Sequence, residues 1–275
     1  MTKEEIQKTI YSLKNENEII DFVKRRIQEL ENNSVESTVG QNYTKTFKEY
    51  ISEKTHYKVG DKFSDAECPD LVYDDLTPYI NLVKSLRQSP RYNEFLLYTK
   101  IFFEIRDYLP NNDQGQIERA ITYGFNKGGR VSIKDIQKNK CGVCAERAGL
   151  AHNLFKFLGT DSEVAGGYRN SELHAYNLVY PNGYEKEPIV IYDPSFSIAF
   201  SKNGQRFANA GYFQELQKAD YDKLMSGISV KIDLTETEKK YRQAANLGND
   251  ISVEGDTPTY TVGLEKSKED IVERI

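Results

Sequence analysis

The sequence predicts an α+β protein with an antiparallel sheet. Three observations lead there. Apolar stripes of helical period dominate the first half of the chain. Near residue 130 the texture changes to one helix candidate followed by strand candidates at short spacing. Between two of those candidates, Pro181-Asn182-Gly183 has the composition of a hairpin turn.

In the first half, Ile20, Val23, Ile27 and Leu30 recur at i, i+3, i+7 and i+10, one face of an amphipathic helix. Tyr79, Val83 and Leu86 repeat the pattern over 78–86. Residues 95–109 are apolar on more than one face, which predicts a buried helix stopped by Pro110-Asn111-Asn112-Asp113. Residues 32–40 and 59–75 are turn-rich connectors. In the second half, Ala148, Ala151, Phe155 and Leu158 share a helical stripe over 144–158, and Gly159 stands where a C′ glycine belongs. Strands are expected over 162–168, 174–180 and 188–193. Residues 207–225 look helical again. The charged stretch 236–275, with breakers at Gly248-Asn249-Asp250 and Gly255-Asp256-Thr257-Pro258, is expected to be peripheral. The resulting organisation is a helical region over 1–125, a catalytic core over 126–235 and a charged tail over 236–275.

Composition narrows the function classes. The 275 residues are long enough to bury a core without staples. Mean hydropathy is −0.66, yet 19 Tyr and 13 Phe set the chain apart from disordered sequences. A net charge of −5 without a basic block argues against nucleic-acid and membrane-surface partners. Residues 1–31 are charged throughout and have no apolar h-region. No Sec-type signal is expected, which points to the cytoplasm or to export by a non-Sec route. Three cysteines, Cys68, Cys141 and Cys144, do not make a disulfide framework.

Chemistry concentrates at Lys140-Cys141-Gly142-Val143-Cys144-Ala145-Glu146-Arg147. A cysteine in the first turn of a helix sits where the macrodipole and unbonded N–H groups favour negative charge, and the thiolate is the nucleophile. His174 opens a strand candidate 30 residues later, and Asp193 closes the next one after 19 more. A tight turn centred between Asn182 and Gly183 would pair residue 174 near 191. Asp193 would then be a diagonal neighbour of His174 on the same face. From there the carboxylate can hold Nδ1–H and turn the other ring nitrogen toward the thiol, the arrangement acyl transfer needs.

The stretch from about 130 to 200 resembles the transglutaminase-like superfamily of papain-type cysteine enzymes. The resemblance rests on G-V-C-A-E-R-A-G-L around Cys144, G-G-Y at 166–168, H-A-Y-N-L-V at 174–179 and Y-D-P-S at 192–195. It covers about a quarter of the chain and implies a nucleophile helix packed on an antiparallel sheet. Cys144 would be the nucleophile, His174 the base and Asp193 the orienting carboxylate, with no cofactor and no metal. Where the family often carries Trp, this chain has Ala145 and Tyr176. The expected activity is hydrolysis of a peptide or protein amide through a thioacyl-enzyme, as a protease or glutamine deamidase. Transfer to an amine, as in a protein transglutaminase, shares the first half-reaction and stays open. So does an inactive binding module that works through its helical first half.

Other readings are weaker. Cys141 and Cys144 form a C-x-x-C, but the preceding 132–139 is polar rather than the strand a thioredoxin-like redox pair follows. One C-x-x-C with Cys68 does not complete a zinc site. Papain itself places its His far further downstream, and arylamine acetyltransferases carry an Arg-Gly-Gly that Lys140-Cys141-Gly142 lacks. His152 lies eight residues past Cys144 on the same helix, about 12 Å along the axis and out of reach. His56 lies in a polar segment. For the oxyanion, the Cys144 backbone N–H is the first candidate, with Gln137 or Asn139 as side-chain donors. Tyr168, Tyr176, Tyr180, Tyr184 and Tyr192 read as strand aromatics, some of them able to line a peptide groove.

Overall fold

The computed structural model describes residues 1–36, 70–72, 75–89, 93–110, 130–170, 172–231, 239, 242–243, 251–254 and 258–262. His56, Cys68 and the breakers at 111–113, 248–250 and 255–257 lie outside them.

Among the described residues, the first 108 positions hold four helices: α1 (Lys3–Ser12), α2 (Glu16–Glu36), α3 (Thr77–Arg87) and α4 (Glu94–Tyr108). The last three carry the stripes read above; α1 was not anticipated. A short parallel pair, β1 (Asp70–Val72) with β2 (Arg130–Ser132), leads through α5 (Ile133–Lys138) to α6 (Cys144–Phe157). The main sheet follows: β3 (Asp161–Arg169), β4 (Glu172–Tyr180), β5 (Ile189–Lys202) and β6 (Gln205–Leu216). After α7 (Lys218–Met225) come β7 (Val230–Lys231), β8 (Ile251–Glu254) and β9 (Thr259–Val262). The sheet order is β6-β5-β4-β3-β9-β7, with β8 added to β5, and every pairing in it is antiparallel. The fold is α+β.

Helix α6 is central, and nearly all of it is buried. Helix and sheet share one apolar cluster running from Ile6 to Tyr260. Phe155 of α6 meets Tyr192 of β5 edge-on at 5.0 Å, and Tyr98 of α4 packs on Phe155 and Phe213. Gly159 ends α6 at φ +76, and a Cβ there would approach Lys3 and Ile6 at 3.0–3.3 Å, so glycine serves both the left-handed cap and the close passage of α1. Arg26 of α2, 5% exposed, donates to the last carbonyls of α6, Phe157 O at 3.1 Å and Lys156 O at 3.4 Å. A cation at that end suits the helix dipole and ties the N-terminal helices to the helix that carries Cys144.

Three expectations are corrected. The connection between β4 and β5 is not a two-residue turn; residues 181–188 form it. Residues 207–216 are strand rather than helix, because β6 pairs with β5 from Ile189↔Leu216 to Lys202↔Gln205, with shifts of register at Asp193/Ser197 and Phe200/Ser201. Gln214, Glu215 and Leu216 at the end of that stretch favour helix weakly, and pairing overrides them. Gly211 sits under Phe102 of α4, where a Cβ would come within 2.5 Å, so this crossing needs glycine. The charged tail is not peripheral over its described strands: β9 pairs with both β3 and β7, and Tyr260 within it is fully buried.

Candidate active site

Cys144 is the first residue of α6, and its start is pinned. Glu146, fully buried in the first turn, accepts the Val143 N–H at 2.9 Å. A carboxylate there satisfies a donor that the helix itself leaves unbonded. Asn177 of β4 donates to Ala148 O at 2.9 Å, one turn further on. That contact seats α6 against β4 and brings Cys144 to the strand end that carries His174. Cys144 is partly exposed, whereas Cys141 is fully buried with its Sγ 3.6 Å from Ile136 O. Neither is in a disulfide.

His174 Nε2–H donates to Asp193 Oδ2 at 2.8 Å, with His174 7% and Asp193 0% exposed. Cys144 stands close enough to the same imidazole to help hold its proton. The structure therefore brings together Cys144, His174 and Asp193. Two details differ from expectation. Asn177 pairs with Tyr192, so Asp193 falls opposite Tyr176 rather than beyond residue 191. The shift relative to the tight-turn register is an even number of residues, and the side-chain period of a strand is two. Asp193 thus stays on the face of His174 and diagonal to it. The carboxylate takes Nε2, not Nδ1.

Burial opposes charge on His174, but the Asp193 charge and hydrogen bond, followed by Cys144, outweigh it and push the imidazole up to about 10. Burial alone would raise the Asp193 carboxyl. The charge and hydrogen bond of His174, the Ser195 N–H and the Tyr260 hydroxyl bring it below its ordinary value. Ser195 N–H reaches Asp193 Oδ1 at 3.0 Å across a break in the β5–β6 register between Asp193 and Ser197. Pro194 lies in that break, where a residue without an N–H removes nothing from the ladder. Asp193 therefore also caps a local turn, as an Asp-Pro reading suggests, while it holds His174.

Several participants carried no role in the sequence reading. Tyr260 O–H donates to Asp193 Oδ2 at 2.9 Å, and Arg169 Nε lies 3.7 Å from the same oxygen. Phe196 packs against His174 at 5.3 Å between ring centroids. The run Thr259-Tyr260-Thr261-Val262 after Pro258 is the signal that could have revealed β9, and Arg169 directly follows the Gly-Gly-Tyr of β3. Arg147, 4% exposed and three residues past Cys144, donates Nε–H to Leu109 O at 3.0 Å and adds a positive charge beside the thiol.

The remaining candidates lie elsewhere. His152 is buried on α6 with Nδ1 2.9 Å from Ser162 Oγ. Gln137 and Asn139 are exposed at the end of α5. Tyr176, Tyr180 and Tyr192 are fully buried core residues; of the five tyrosines only Tyr168 and Tyr184 reach the surface. Among the described residues, no group of three or more His, Cys, Asp or Glu is placed to hold a metal, and no helix is long and apolar enough to cross a membrane. No family model, no curated protein and no solved structure matches this chain.

Proposed function

We propose that the chain is a cysteine-dependent amide hydrolase of transglutaminase-like type, acting on a peptide or protein substrate. The observation that carries this reading is one imidazole held at 2.8 Å by a fully buried carboxylate, with a partly exposed helix-start thiol as its other partner. The buried Cys141 weakens the redox alternative, since a C-x-x-C redox pair needs both sulfurs in reach of each other and of a partner.

The reaction follows from these groups. The Cys144 proton passes to His174 Nδ1, and the sulfur attacks the carbonyl carbon of the amide. The first-turn N–H groups of α6 face the negative oxygen, and Arg147 adds positive charge nearby. The C–N bond breaks as the imidazolium gives its proton to the departing nitrogen. Water then attacks the thioester, His174 takes its proton, and the acid leaves as the thiol re-forms. Asp193 keeps the ring oriented throughout. No step calls for a cofactor or metal.

Intact-mass analysis after incubation with a glutamine-containing test protein separates the outcomes. A gain of about one mass unit per site means deamidation, cleaved fragments mean proteolysis, and a ladder of linked species means transfer to lysine, because each records a different fate of one acyl-enzyme. Iodoacetamide should label Cys144 well before the buried Cys141. No change in any substrate, together with Cys144 labelling that ignores loss of His174, would leave the inactive binding module as the better reading.

A further inference from the structure

We propose that Arg169 and Tyr260 are a positioning pair, one on β3 and one on β9, that clamps the Asp193 carboxylate onto the Nε2 side of His174. The consequence for turnover rests on the hydrolase reading above. The positioning itself does not.

The two residues are directly opposed across the β3–β9 ladder, and on its other side β3 places Gly167 opposite His174. With no side chain on Gly167, the groups on either side can converge on the imidazole. Arg169 Nε lies 3.3 Å from the Tyr260 hydroxyl oxygen, and the hydroxyl lies 2.9 Å from Asp193 Oδ2. A guanidinium can only donate, so the phenol oxygen accepts from Arg169 and its single proton goes to Asp193. Arg169 also rests on Phe196, with Cζ 3.3 Å from the ring centroid, and Phe196 in turn packs against His174. That stack fixes the plane of the guanidinium, which a lysine would not reproduce.

Donor and acceptor logic then reaches the imidazole. Oδ1 of Asp193 takes the Ser195 N–H; Oδ2 takes Tyr260 and faces the Arg169 charge. A carboxylate so supplied stays ionised and can only accept, so His174 Nε2 must carry a proton. Nδ1 is left as the position that exchanges its proton with Cys144. The pair therefore selects the tautomer and limits how strongly Asp193 holds the imidazolium. Cys144 from α6, Tyr176 on its own strand and Asp193 from β5 face the ring, while Arg147 from α6 and Tyr212 from β6 act on it through Asp193. Among the described residues, the cationic partners of Asp193 within 4 Å are Arg169 and His174.

The test uses the full chain with ring-¹⁵N histidine. There are three histidines, and a His174→Gln variant identifies the signal. Tyr260→Phe keeps the ring, which packs on Tyr176 at 4.7 Å, and removes the donor; Arg169→Gln removes the charge. In both, Asp193 becomes a stronger acceptor. The Nε2–H resonance of His174 should move downfield at neutral pH, and its titration midpoint should rise by up to about one pH unit, with His152 unmoved. The pH profile of Cys144 alkylation should move with it. If Tyr260→Phe does not fold, Arg169→Gln decides. An unchanged Nε2–H resonance and midpoint in a folded variant overturn the pair, even if the enzyme turns over an amide. A shifted midpoint in a protein without amide turnover keeps the pair and sinks only the hydrolase reading.

Discussion

Strand β4 begins and ends in buried polar clusters of opposite character. At its start, His174 meets Asp193, with Arg169 and Tyr260 behind and a partly exposed thiol in front. At its end, Tyr180 donates to Glu163 Oε2 at 2.9 Å, with the Tyr221 hydroxyl 3.5 Å from its own and the Tyr184 ring 5.0 Å away. Both Asp193 and Glu163 are almost fully buried. The difference lies in the donors. Burial and the Glu163 charge drive the Tyr180 and Tyr184 hydroxyls far above the ordinary tyrosine value, so that end holds its protons at any physiological pH. The imidazole, pushed up to about 10, also keeps its proton near neutral pH, but it has a nucleophile beside it with which that proton can be exchanged. Burial and hydrogen bonding alone make a scaffold; a mobile proton beside a reachable thiol makes a candidate site.

The comparison breaks or sharpens under substitution. Cys144→Ala and His174→Ala should each lower turnover by about 10⁴-fold or more, because nucleophile and base act as a unit. Retention of more than a tenth of wild-type activity by either, in a substrate assay, would equate the two ends of β4. Asp193→Ala should cost less, about 10²- to 10³-fold, since an orienting carboxylate makes no bond to substrate. Wild-type activity in Asp193→Ala would remove it from the site.

Deleting residues 255–275 removes β9 and its fully buried Tyr260. Loss of so large a buried aromatic should cost about 3 kcal/mol or more. Calorimetry should show a clear drop in Tm, and an unshifted Tm would return the tail to the periphery.

The pH dependence of stability separates the ends without any substrate. His174 binds a proton more tightly folded than unfolded, so its contribution is complete below the ordinary value of 6.5 and disappears as pH rises through about 10. Urea midpoints should fall across that window, and His174→Gln should flatten the slope. Asp193 acts in the opposite sense. Its folded value is lowered, so its contribution is present above the ordinary value of 3.8 and is lost as pH falls through the folded one.

The smallest effect is expected at the other end of β4. Tyr180→Phe takes one donor from Glu163 and should cost about 1 kcal/mol by denaturant titration, with turnover unchanged. A drop in turnover matching that of Asp193→Ala would join the two clusters into one site.

The chain by itself determined the helix that carries Cys144, its Gly159 stop, strands β3 and β4 and the start of β5. These are local matters: an apolar stripe, a left-handed cap and runs of strand-forming residues act within one element. It also determined the face shared by His174 and Asp193, because strand parity survives an even change of register. Tertiary structure alone decided the length of the β4–β5 connection, the strand at 205–216 and the docking of β9. Those depend on which distant segment supplies the partner, and a weak local preference yields to eleven paired residues of ladder or to one buried tyrosine. The choice of ring nitrogen was decided in the same way. Either nitrogen of His174 can meet a carboxylate; in the folded chain it is Nε2 that meets Asp193, which is itself held by Tyr260 and the Ser195 N–H beside Arg169.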